Sequence, residues 1–401
     1  MEEARQFPYR LKSVRVSLPT RMKILRVITS VNPKIGGPIE GIKQISWILA
    51  NKGHITEIAC LDSPDSVWLN NFQFKVYALG PGKTNFKYSR KIFKWLKQNI
   101  KNYDCVIVHG LWQYPSLAVW KTSKKMKIPY FIYPHGMLDP WFKQNYILKH
   151  IKKCVYWPFQ YRILRDAKAV FFTSEEEKEH ARESFRPYKC NEKVVNYGII
   201  KQREDSKKQK EMFFSKFPEL KNKRIILFLG RIHEKKGIDL LLKAFTTAAI
   251  KDNLLHLVIA GPNQNDLKEK LKELIEILKI NNKVTWTGML LDEIKWGAFY
   301  SAEVFILPSH QENFGIAVVE ALSCGVPVLI TNKINIWREI AQYEAGLIEN
   351  DDLDGTIKLL ERWLSVPNSQ KRLMKKQAVK CFEDNFEISK STKRLIDIIR
   401  Q

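Results

Sequence analysis

Two glutamates in the C-terminal half are placed so that they could hold a ligand with several hydroxyl groups. Glu312 and Glu320 stand eight residues apart, on either side of a short polar turn. An apolar run with helical spacing follows, so we expect a helix that begins near Gly315 and offers its first backbone N–H groups to sugar hydroxyls or phosphate. Each carboxylate could then accept hydrogen bonds from two vicinal hydroxyls. The spacing alone favours a plainer interpretation, an acid at a helix start and a solvated acid within the helix.

Two basic residues follow a strand-like run earlier in the same half. In the segment LGRIHEKKGIDLLLKAF the strand ends at Gly230, and Arg231 and Lys236 precede or open an amphipathic helix. Two cations beside a helix N-terminus form an anion site. A departing diphosphate needs such cations, because its developing charge must be neutralised. In a chain this rich in lysine, one basic pair alone would ordinarily be surface decoration.

A double glycine, Gly36 and Gly37, lies between the first strand-like run and the first predicted helix, in the segment IGGPIE. Glycine lets the backbone approach a ligand closely and permits positive φ. On its own the pair indicates only a tight turn.

Histidine and aromatic residues follow two strands of the N-terminal half. His135 lies in YPHGMLDPW, directly after a strand-like run, and Asp139 and Trp141 come shortly after it. His109 and Trp112 lie in VHGLWQYPS, after another strand. Strand ends of this kind form the ligand-binding edge of a parallel sheet, and aromatic faces suit sugar rings. We interpret His109, Trp112, Asp139 and Trp141 as candidates for an acceptor pocket.

The elements that must position these residues alternate between strand and helix, which predicts α/β architecture with two doubly wound parallel sheets. The charged stretch 196–222 interrupts the alternation and predicts a domain boundary. Two Rossmann-like domains facing across a cleft would bind ligands at the carboxyl ends of their strands. The predicted strands are 23–30, 55–62, 74–80, 104–110, 129–136 and 167–174 in the first half, and 224–230, 254–261, 284–288, 303–309, 327–331 and 346–350 in the second.

The length of 401 residues fits two domains, and no apolar run approaches the roughly 18–20 residues that span a bilayer. Lysine and arginine exceed the acids by 67 to 42, a net charge of +25. Such a charge suits nucleic acid, an anionic membrane or phosphorylated small molecules, or it reflects lysines spread over solvated faces. Nucleic acid is disfavoured, because the sequence holds no RNP-like motif or zinc finger.

Six scattered cysteines without a C-x-x-C spacing predict reduced thiols, a cytoplasmic location and no structural metal. Residues 1–21 lack the apolar core of a signal peptide and read as a basic N-terminal extension. Met22, where the first compact strand begins, is itself a plausible translation start.

The segment ENFGIAVVEALSCGVPV, with Glu312 and Glu320 as the ends of an E-x7-E pattern, resembles the hallmark of the retaining glycosyltransferases of family 4, which have the GT-B fold. The resemblance covers nearly the whole chain from Met22. It implies that Glu312 contacts the transferred sugar and Glu320 the ribose of the donor. The donor site that it implies also includes Asn313, Phe314, Gly315 and Ile316.

The resemblance implies roles elsewhere. Arg231 and Lys236 match the family's G-R-x-x-x-x-K-G pattern and would clamp the diphosphate. The loop of Gly36 and Gly37 would reach the donor phosphates or the acceptor, and His135 would lie near the reacting face of the sugar. The implied catalytic residues are His135, Arg231, Lys236 and Glu312. No metal or cofactor is implied, since the D-x-D match at Asp352 and Asp354 opens a predicted helix, where acids favour the dipole.

The predicted function is transfer of a hexosyl unit from a nucleoside-diphosphate sugar, with UDP favoured over GDP, to an acceptor hydroxyl with retention, in cell-surface polysaccharide or lipid-linked glycan synthesis. The basic surface predicts peripheral association with the anionic inner face of the cell membrane. The alternatives are a nucleotide-sugar epimerase of GT-B fold, which would need further acid/base carboxylates, and a basic nucleic-acid-binding protein. The predicted parts are the extension 1–21, an acceptor-side domain 22–195, a linker 196–222, a donor-binding domain 223–375 and C-terminal helices 376–401 that pack back on the first domain.

Overall fold

The computed structural model describes residues 21–33, 37–70, 72–140, 147–201, 205–263 and 267–401, which divide into two compact units. The first unit comprises the described residues within Met1–Thr173, Glu177–Asn196 and Thr392–Gln401. The second comprises Ser174–Glu176 and those within Tyr197–Ser391. Gly36, Trp141 and residues 1–20 of the predicted extension lie outside the described residues.

One parallel sheet forms the centre of the first unit, in the strand order β3-β2-β1-β4-β5-β6-β7. Because the first strand lies inside the sheet and the chain winds outwards from it in both directions, the unit is doubly wound, as predicted. The strands are β1 (Lys23–Val27), β2 (Ile55–Cys60), β3 (Val76–Ala78), β4 (Cys105–His109), β5 (Tyr130–Tyr133), β6 (Ala169–Phe172) and β7 (Glu192–Val194). The helices between them are α1 (Gly37–Asn51), α2 (Arg90–Asn99), α3 (Tyr114–Met126), α4 (Ile147–Arg165) and α5 (Glu175–Ser184).

Both faces of this sheet are buried, as strand β2 illustrates. Ala59 packs into one hydrophobic cluster, while its neighbours Ile58 and Cys60 pack into another. Successive side chains of a strand point to opposite faces, so the two clusters lie on opposite sides of the sheet. Strands covered on both faces read as continuous apolar runs, which is why they could be located in the sequence.

The second unit repeats this architecture with a parallel sheet in the order β10-β9-β8-β11-β12-β13. Its strands are β8 (Arg224–Leu229), β9 (Leu255–Ala260), β10 (Val284–Gly288), β11 (Val304–Leu307), β12 (Val328–Thr331) and β13 (Gly346–Glu349). The remaining helices in chain order are α6 (Ser206–Lys216), α7 (Ile238–Lys251), α8 (Leu267–Ile277), α9 (Asp292–Ser301), α10 (Ile316–Ser323), α11 (Trp337–Gln342), α12 (Leu353–Ser365), α13 (Asn368–Asn385) and α14 (Ile388–Arg400).

Each predicted strand-like run contains one strand, and the predicted runs extend past the strands by up to three residues at an end. Strand β7 and helix α6 are among the elements that were not predicted. Strand β7 has only three residues, two of them charged. Helix α6 lies in the stretch interpreted as a linker, yet its Phe213 is fully buried. It packs closely on α9, since a Cβ added to Gly297 would lie 2.1 Å from the carbonyl oxygen of Gln209.

Within the described parts of the chain, no helix combines the length and the apolarity that crossing a bilayer requires. All six cysteines are free thiols, and three of them are buried: Cys60, Cys105 and Cys381. Burial raises the pKa of the Cys105 and Cys381 thiols to about 12, so both stay protonated and behave as small apolar side chains.

Candidate functional site

An ion pair joins two of the predicted donor-site residues in the second unit. The Nζ atom of Lys236 contacts a carboxylate oxygen of Glu312. Lys236 ends a short 3₁₀ helix, Glu234–Lys236, that follows strand β8, and Glu312 lies between β11 and α10. The side chains are 12 % and 25 % exposed, so the pair stays within reach of a ligand while being largely shielded from water.

The backbone around this pair is held by close contacts at a glycine. Gly237 has φ of +62°, and a Cβ added there would lie 2.1 Å from the carbonyl oxygen of Pro308. The amide of His310 and the hydroxyl of Ser309 both donate to the carbonyl oxygen of Lys235, at 2.8 Å each. The segment carrying Lys236 therefore lies directly against the segment that leads to Glu312.

A second set of bonds fixes Glu312 itself. Its amide donates to the carbonyl oxygen of Lys333 at 3.0 Å, and its own carbonyl oxygen accepts from the amide of Asn335 at 3.0 Å. The side chain of Asn335 also reaches Asn313, at 3.4 Å between Nδ2 and Oδ1. The loop of Glu312 is thus held between the segments that follow strands β8 and β12.

Helix α10 begins at Ile316, one residue after the predicted start. Gly315 precedes it with φ of +71°, and its carbonyl oxygen accepts from the amides of Val318 and Val319. The ring of Phe314 is buried and packs edge-on against Tyr197 and Phe386, each at 5.7 Å between ring centroids. The side chain of Phe314 is therefore structural. The predicted contact with the donor would be made by the backbone of this turn.

Glu320 lies on α10 and pairs with a residue that the sequence analysis did not select. Its Oε1 atom is 2.7 Å from the Nζ atom of Lys295 on α9. The same ammonium lies over the ring of Trp296, 4.3 Å from its centroid. The predicted ribose-binding carboxylate is thus held by a cation–π-supported lysine. In the sequence Lys295 looks like one more lysine on a helix.

Arg231 follows the end of strand β8 and is exposed. The preceding residue, Gly230, is tightly packed, since a Cβ added to Gly261 would lie 1.7 Å from the carbonyl oxygen of Gly230.

Asp352, the first residue of the D-x-D match, caps helix α12, as the sequence predicted. Its carboxylate accepts a hydrogen bond from the amide of Gly355 at 2.6 Å. Among the described residues, no three His, Cys, Asp or Glu side chains are grouped so as to hold a metal ion.

In the first unit, two predicted histidines are hydrogen-bonded at the ends of neighbouring strands. The Nδ1 atom of His109, at the end of β4, lies 3.0 Å from the Nε2 atom of His135, which follows β5. The Nη1 atom of the fully buried Arg26 lies 3.1 Å from Nε2 of His109. A guanidinium only donates, so Nε2 of His109 accepts, Nδ1 of His109 carries the proton, and Nε2 of His135 accepts in turn.

The surroundings keep both imidazoles neutral. Burial, reinforced by the charge of Arg26, lowers the pKa of His135 to about 3. Burial, His135 and Arg26 hold the pKa of His109 well below its usual value. A protonated imidazole here would face a guanidinium in a site with little water, which is unfavourable. At neutral pH His135 therefore offers dipoles and no charge.

A buried carboxylate, which the sequence analysis also missed, supports the turn of His135. His135 itself has φ of +53°, and the next amide, that of Gly136, donates to Oε1 of Glu177 at 2.6 Å. The other oxygen of Glu177 accepts from the amide and the hydroxyl of Thr173, at 2.6 and 2.7 Å. Glu177 thereby joins the turn after β5 to the end of β6.

The predicted acceptor residues Trp112 and Asp139 each contact other side chains of the first unit. The indole N–H of Trp112 donates to the carbonyl oxygen of Met137 at 3.2 Å, and its ring packs against Trp157 on α4. Asp139 is buried, 4.0 Å from a ring nitrogen of His180. Gly37 is the first residue of α1. The acceptor roles of Trp112 and Asp139 stay predictions.

Two family models match the chain. The one described as "Glycosyl transferases group 1" matches residues 209–380, and the one described as "Glycosyl transferase 4-like domain" matches residues 36–196.

Similar proteins include two bacterial synthases. Mannosylfructose-phosphate synthase of Agrobacterium fabrum is 25 % identical over 266 residues, 62 % of this chain and 58 % of that protein. Alpha-monoglucosyldiacylglycerol synthase of Streptococcus pneumoniae is 23 % identical over 371 residues, 88 % of this chain and 81 % of that protein. The chain thus spans a little over half the length of the first of these relatives.

Among solved structures, Anabaena Alr3699/HepE in complex with UDP superposes with a TM-score of 0.78 at 15 % identity, covering 94 % of this chain and all of that one. Its complex with UDP and glucose gives 0.74. Because the sequence identity is only 15 %, this structural similarity establishes the fold alone, which is GT-B.

Proposed function

Because the chain belongs to the glycosyltransferases of GT-B fold that are similar to family 4, we propose that it transfers a hexosyl unit from a nucleoside-diphosphate sugar to an acceptor hydroxyl. We favour UDP over GDP as the carrier, since the similar Anabaena protein binds UDP and glucose. The configuration at the anomeric carbon is retained in this proposal, in keeping with the E-x7-E pattern of Glu312 and Glu320.

The observation that supports the proposal most directly is the ion pair of Lys236 and Glu312. An ammonium has three N–H donors, so Lys236 can hold Glu312 and still donate to an oxygen of the diphosphate. The carboxylate of Glu312 can accept from hydroxyls of the transferred sugar. A cation for the leaving group and an acceptor for the sugar thus lie side by side, as the two halves of one nucleotide-sugar would require.

The proposed step breaks the bond between the anomeric carbon and the phosphate oxygen and forms one to the acceptor oxygen on the same face. The acceptor proton passes to the departing phosphate. Lys236, Arg231 and the helix N-terminus after Gly315 offset the charge that develops on the diphosphate, so no metal is needed in this scheme. His135 contributes a neutral imidazole near the sugar, and Glu320 binds the ribose.

The epimerase alternative fits the site less well. Epimerisation would need acid and base groups at the sugar, whereas His109 and His135 are held neutral by desolvation and by Arg26. The named relatives are a synthase of a sugar phosphate and a synthase of a glycolipid. Transfer is therefore favoured over epimerisation, and binding of nucleic acid has no support beyond the net charge.

We further propose that the acceptor is a lipid-linked glycan or membrane lipid used in building the cell surface. The net charge of +25 suits an anionic bilayer, where each well-placed lysine or arginine adds about 1 kcal/mol of attraction. The pneumococcal relative is named for a glucosylated diacylglycerol, which is a lipid. The enzyme would then act at the cytoplasmic face of the cell membrane.

A thermal-shift panel of UDP, GDP, ADP and their common sugar conjugates, with and without EDTA, tests the donor. A ligand at about 100 times its dissociation constant adds about 2.7 kcal/mol, which raises the melting temperature by roughly 2–4 °C for domains of this size. A rise with uridine nucleotides that EDTA leaves unchanged supports a metal-independent UDP-sugar transferase. Absence of any nucleotide response would contradict the proposed donor site.

A further inference from the structure

Helix α4 presents two apolar faces, of which one is buried and the other faces water. Trp157, Ile163 and Leu164 on the inner face are buried in the core of the first unit. The other side is lined by large hydrophobic side chains that are between 53 % and 78 % exposed. We call them the outward face of α4: Ile147, Leu148, Ile151, Val155, Tyr156 and Phe159.

Helical geometry places the most exposed part of the outward face opposite the inner face. Leu148 precedes Trp157 by nine residues, and Val155 precedes Leu164 by the same number. Nine residues make about two and a half turns, so each pair points in opposite directions. Leu148 and Val155 therefore belong to a surface separate from the core, whereas Phe159, four residues before the buried Ile163, lies at the edge of that surface nearest the core.

The inner face is anchored firmly, which fixes the direction of the outward one. The indole N–H of Trp157 donates to the carbonyl oxygen of Pro187 at 2.9 Å, and its ring stacks on Phe185 at 4.6 Å between centroids. Gln160 accepts from the amide of Trp112 at 3.3 Å. The helix thus packs directly on Trp112, one of the predicted acceptor-pocket residues.

The charge of α4 is entirely positive. Its nineteen residues contain no aspartate or glutamate. Lys152 and Arg162 are exposed beside the outward face, since Lys152 follows Leu148 by four residues and Arg162 follows Val155 by seven. All its cationic residues are Lys149, Lys152, Lys153, Arg162 and Arg165. An exposed apolar face bordered by Lys152 and Arg162 can enter the boundary between lipid headgroups and acyl chains while these cations stay at the lipid phosphates.

We propose that the outward face of α4 docks the first unit onto an anionic lipid bilayer. The apolar side chains enter the boundary between headgroups and acyl chains, and Lys152 and Arg162 contact lipid phosphates. The proposal rests on the proposed function, because it assigns the membrane that supplies the acceptor to one element. Since the inner face of α4 packs on Trp112, docking through the outward face would hold the predicted acceptor pocket about one helix diameter, roughly 10–12 Å, from the lipid surface.

A second copy of the chain is the competing occupant of this face. The positive charge of α4 disfavours such a dimer. If two copies met through α4, Lys152 and Arg162 of each copy would face a helix that has no acidic residue to pair with them. A lipid surface that supplies phosphates neutralises the same cations.

Flotation of the full chain with vesicles, in the absence of any sugar nucleotide, tests the proposal. Wild type should float with vesicles of equal parts phosphatidylglycerol and phosphatidylcholine but not with phosphatidylcholine alone. The variant Leu148→Gln/Val155→Gln/Phe159→Gln should lose at least about tenfold in partitioning, because it removes apolar surface from the contact. Lys152→Ala alone should lose about fivefold.

The matched control is Ile250→Gln/Ile277→Gln, which replaces two side chains of the second unit that are 81 % and 75 % exposed. It should bind vesicles as wild type does. Equal binding by wild type and the triple variant would overturn the proposal, as would a wild-type dimer that the triple variant converts to a monomer without any vesicle binding. Donor binding is measured separately by the thermal shift with UDP. If the chain binds vesicles through α4 but shows no thermal shift with nucleotides, the proposed transferase activity is refuted and the docking surface is still supported.

Discussion

His109 and His135 stack with 5.2 Å between their ring centroids and share a hydrogen bond whose direction is set from one end by Arg26. The arrangement fixes the protonation of the predicted catalytic histidine through a neighbour on an adjacent strand. A buried guanidinium that donates into a histidine chain forces each ring to be neutral. The predicted role of His135 therefore depends on a residue, Arg26, in the middle of an apolar strand.

The pH dependence of stability should reveal these neutral histidines. The pKa of His135 is lowered to about 3, and that of His109 lies well below its usual value. In the unfolded chain both take up protons below about pH 6.5. The free energy of unfolding should therefore be largest above that pH and fall as the pH drops, with a slope approaching about 1.4 kcal/mol per pH unit for each histidine.

Urea unfolding at several pH values between about 7.5 and 5 measures that slope. The variant His135→Asn should show a shallower dependence than wild type, because one of the histidines whose pKa is lowered in the folded protein is gone. The same slope in both proteins would mean that His135 is protonated alike in the folded and unfolded states.

Removing either member of the Lys236–Glu312 pair should abolish most transfer while the fold persists. Lys236→Ala and Glu312→Ala should each lower kcat by about 10²–10³-fold, because each removes a preorganised charge at the predicted leaving group or sugar. The control is Lys251→Ala, which breaks the exposed Lys251–Glu361 pair of 2.7 Å on the same unit. Steady-state kinetics with UDP-sugars provide the measurement. Near-normal turnover in both test variants would refute the donor-site assignment.

Lys295→Met should act on donor binding more than on chemistry. Loss of the 2.7 Å contact leaves the carboxylate of Glu320 without its lysine, so its predicted grip on the ribose should weaken. We expect the donor KM to rise about tenfold with a smaller change in kcat. Lys272→Met, which breaks an exposed pair with Glu269, is the control and should leave both constants unchanged. An unchanged donor KM for Lys295→Met would contradict the role of the Lys295–Glu320 pair in binding the ribose.

Glu177→Gln should destabilise the first unit and disturb the turn of His135. An amide NH₂ would replace an oxygen that accepts from Gly136 or Thr173, leaving a buried N–H donor without its acceptor. The expected loss is about 1–3 kcal/mol of unfolding free energy. Glu179→Gln, at an exposed position on the same helix, should cost less than about 0.5 kcal/mol. Equal stability of the two variants in urea would contradict the role assigned to Glu177.

The fold was largely predictable because both sheets are covered on both faces, which leaves long apolar runs such as RIILFL in β8. The donor-site residues were predictable for a related reason, since Arg231 and Lys236 follow such a run and Glu312 precedes a helix. Their side-chain partners were not. In the first unit, Arg26 interrupts an apolar strand, which indicates a buried charge but not its partner, and nothing in the sequence distinguishes Glu177 from an acid on a solvated face.

Helix α6 and the outward face of α4 escaped the sequence analysis for different reasons. In α6 only Gln209 and Phe213 are buried, so a short, mostly polar helix resembled a linker. In α4 apolar residues occur on every side, and a helical pattern without a polar face gives no direction. Only the packing of Trp157 shows which side is the core.

Backbone strain and steric contact can be measured separately at the glycine that follows Lys236. Gly237 and Gly288 have similar positive φ values, +62° and +69°, but a Cβ at Gly237 would lie 2.1 Å from the carbonyl oxygen of Pro308, whereas one at Gly288 would meet nothing within 4 Å. Gly288→Ala should therefore cost only the left-handed conformation, about 1–2 kcal/mol. Gly237→Ala should cost more, and because the backbone must move, it should also separate Lys236 from Glu312 and lower transfer. Urea unfolding and kinetics of both variants test this, and equal losses in the two would mean that the contact with Pro308 does not hold Lys236 in place.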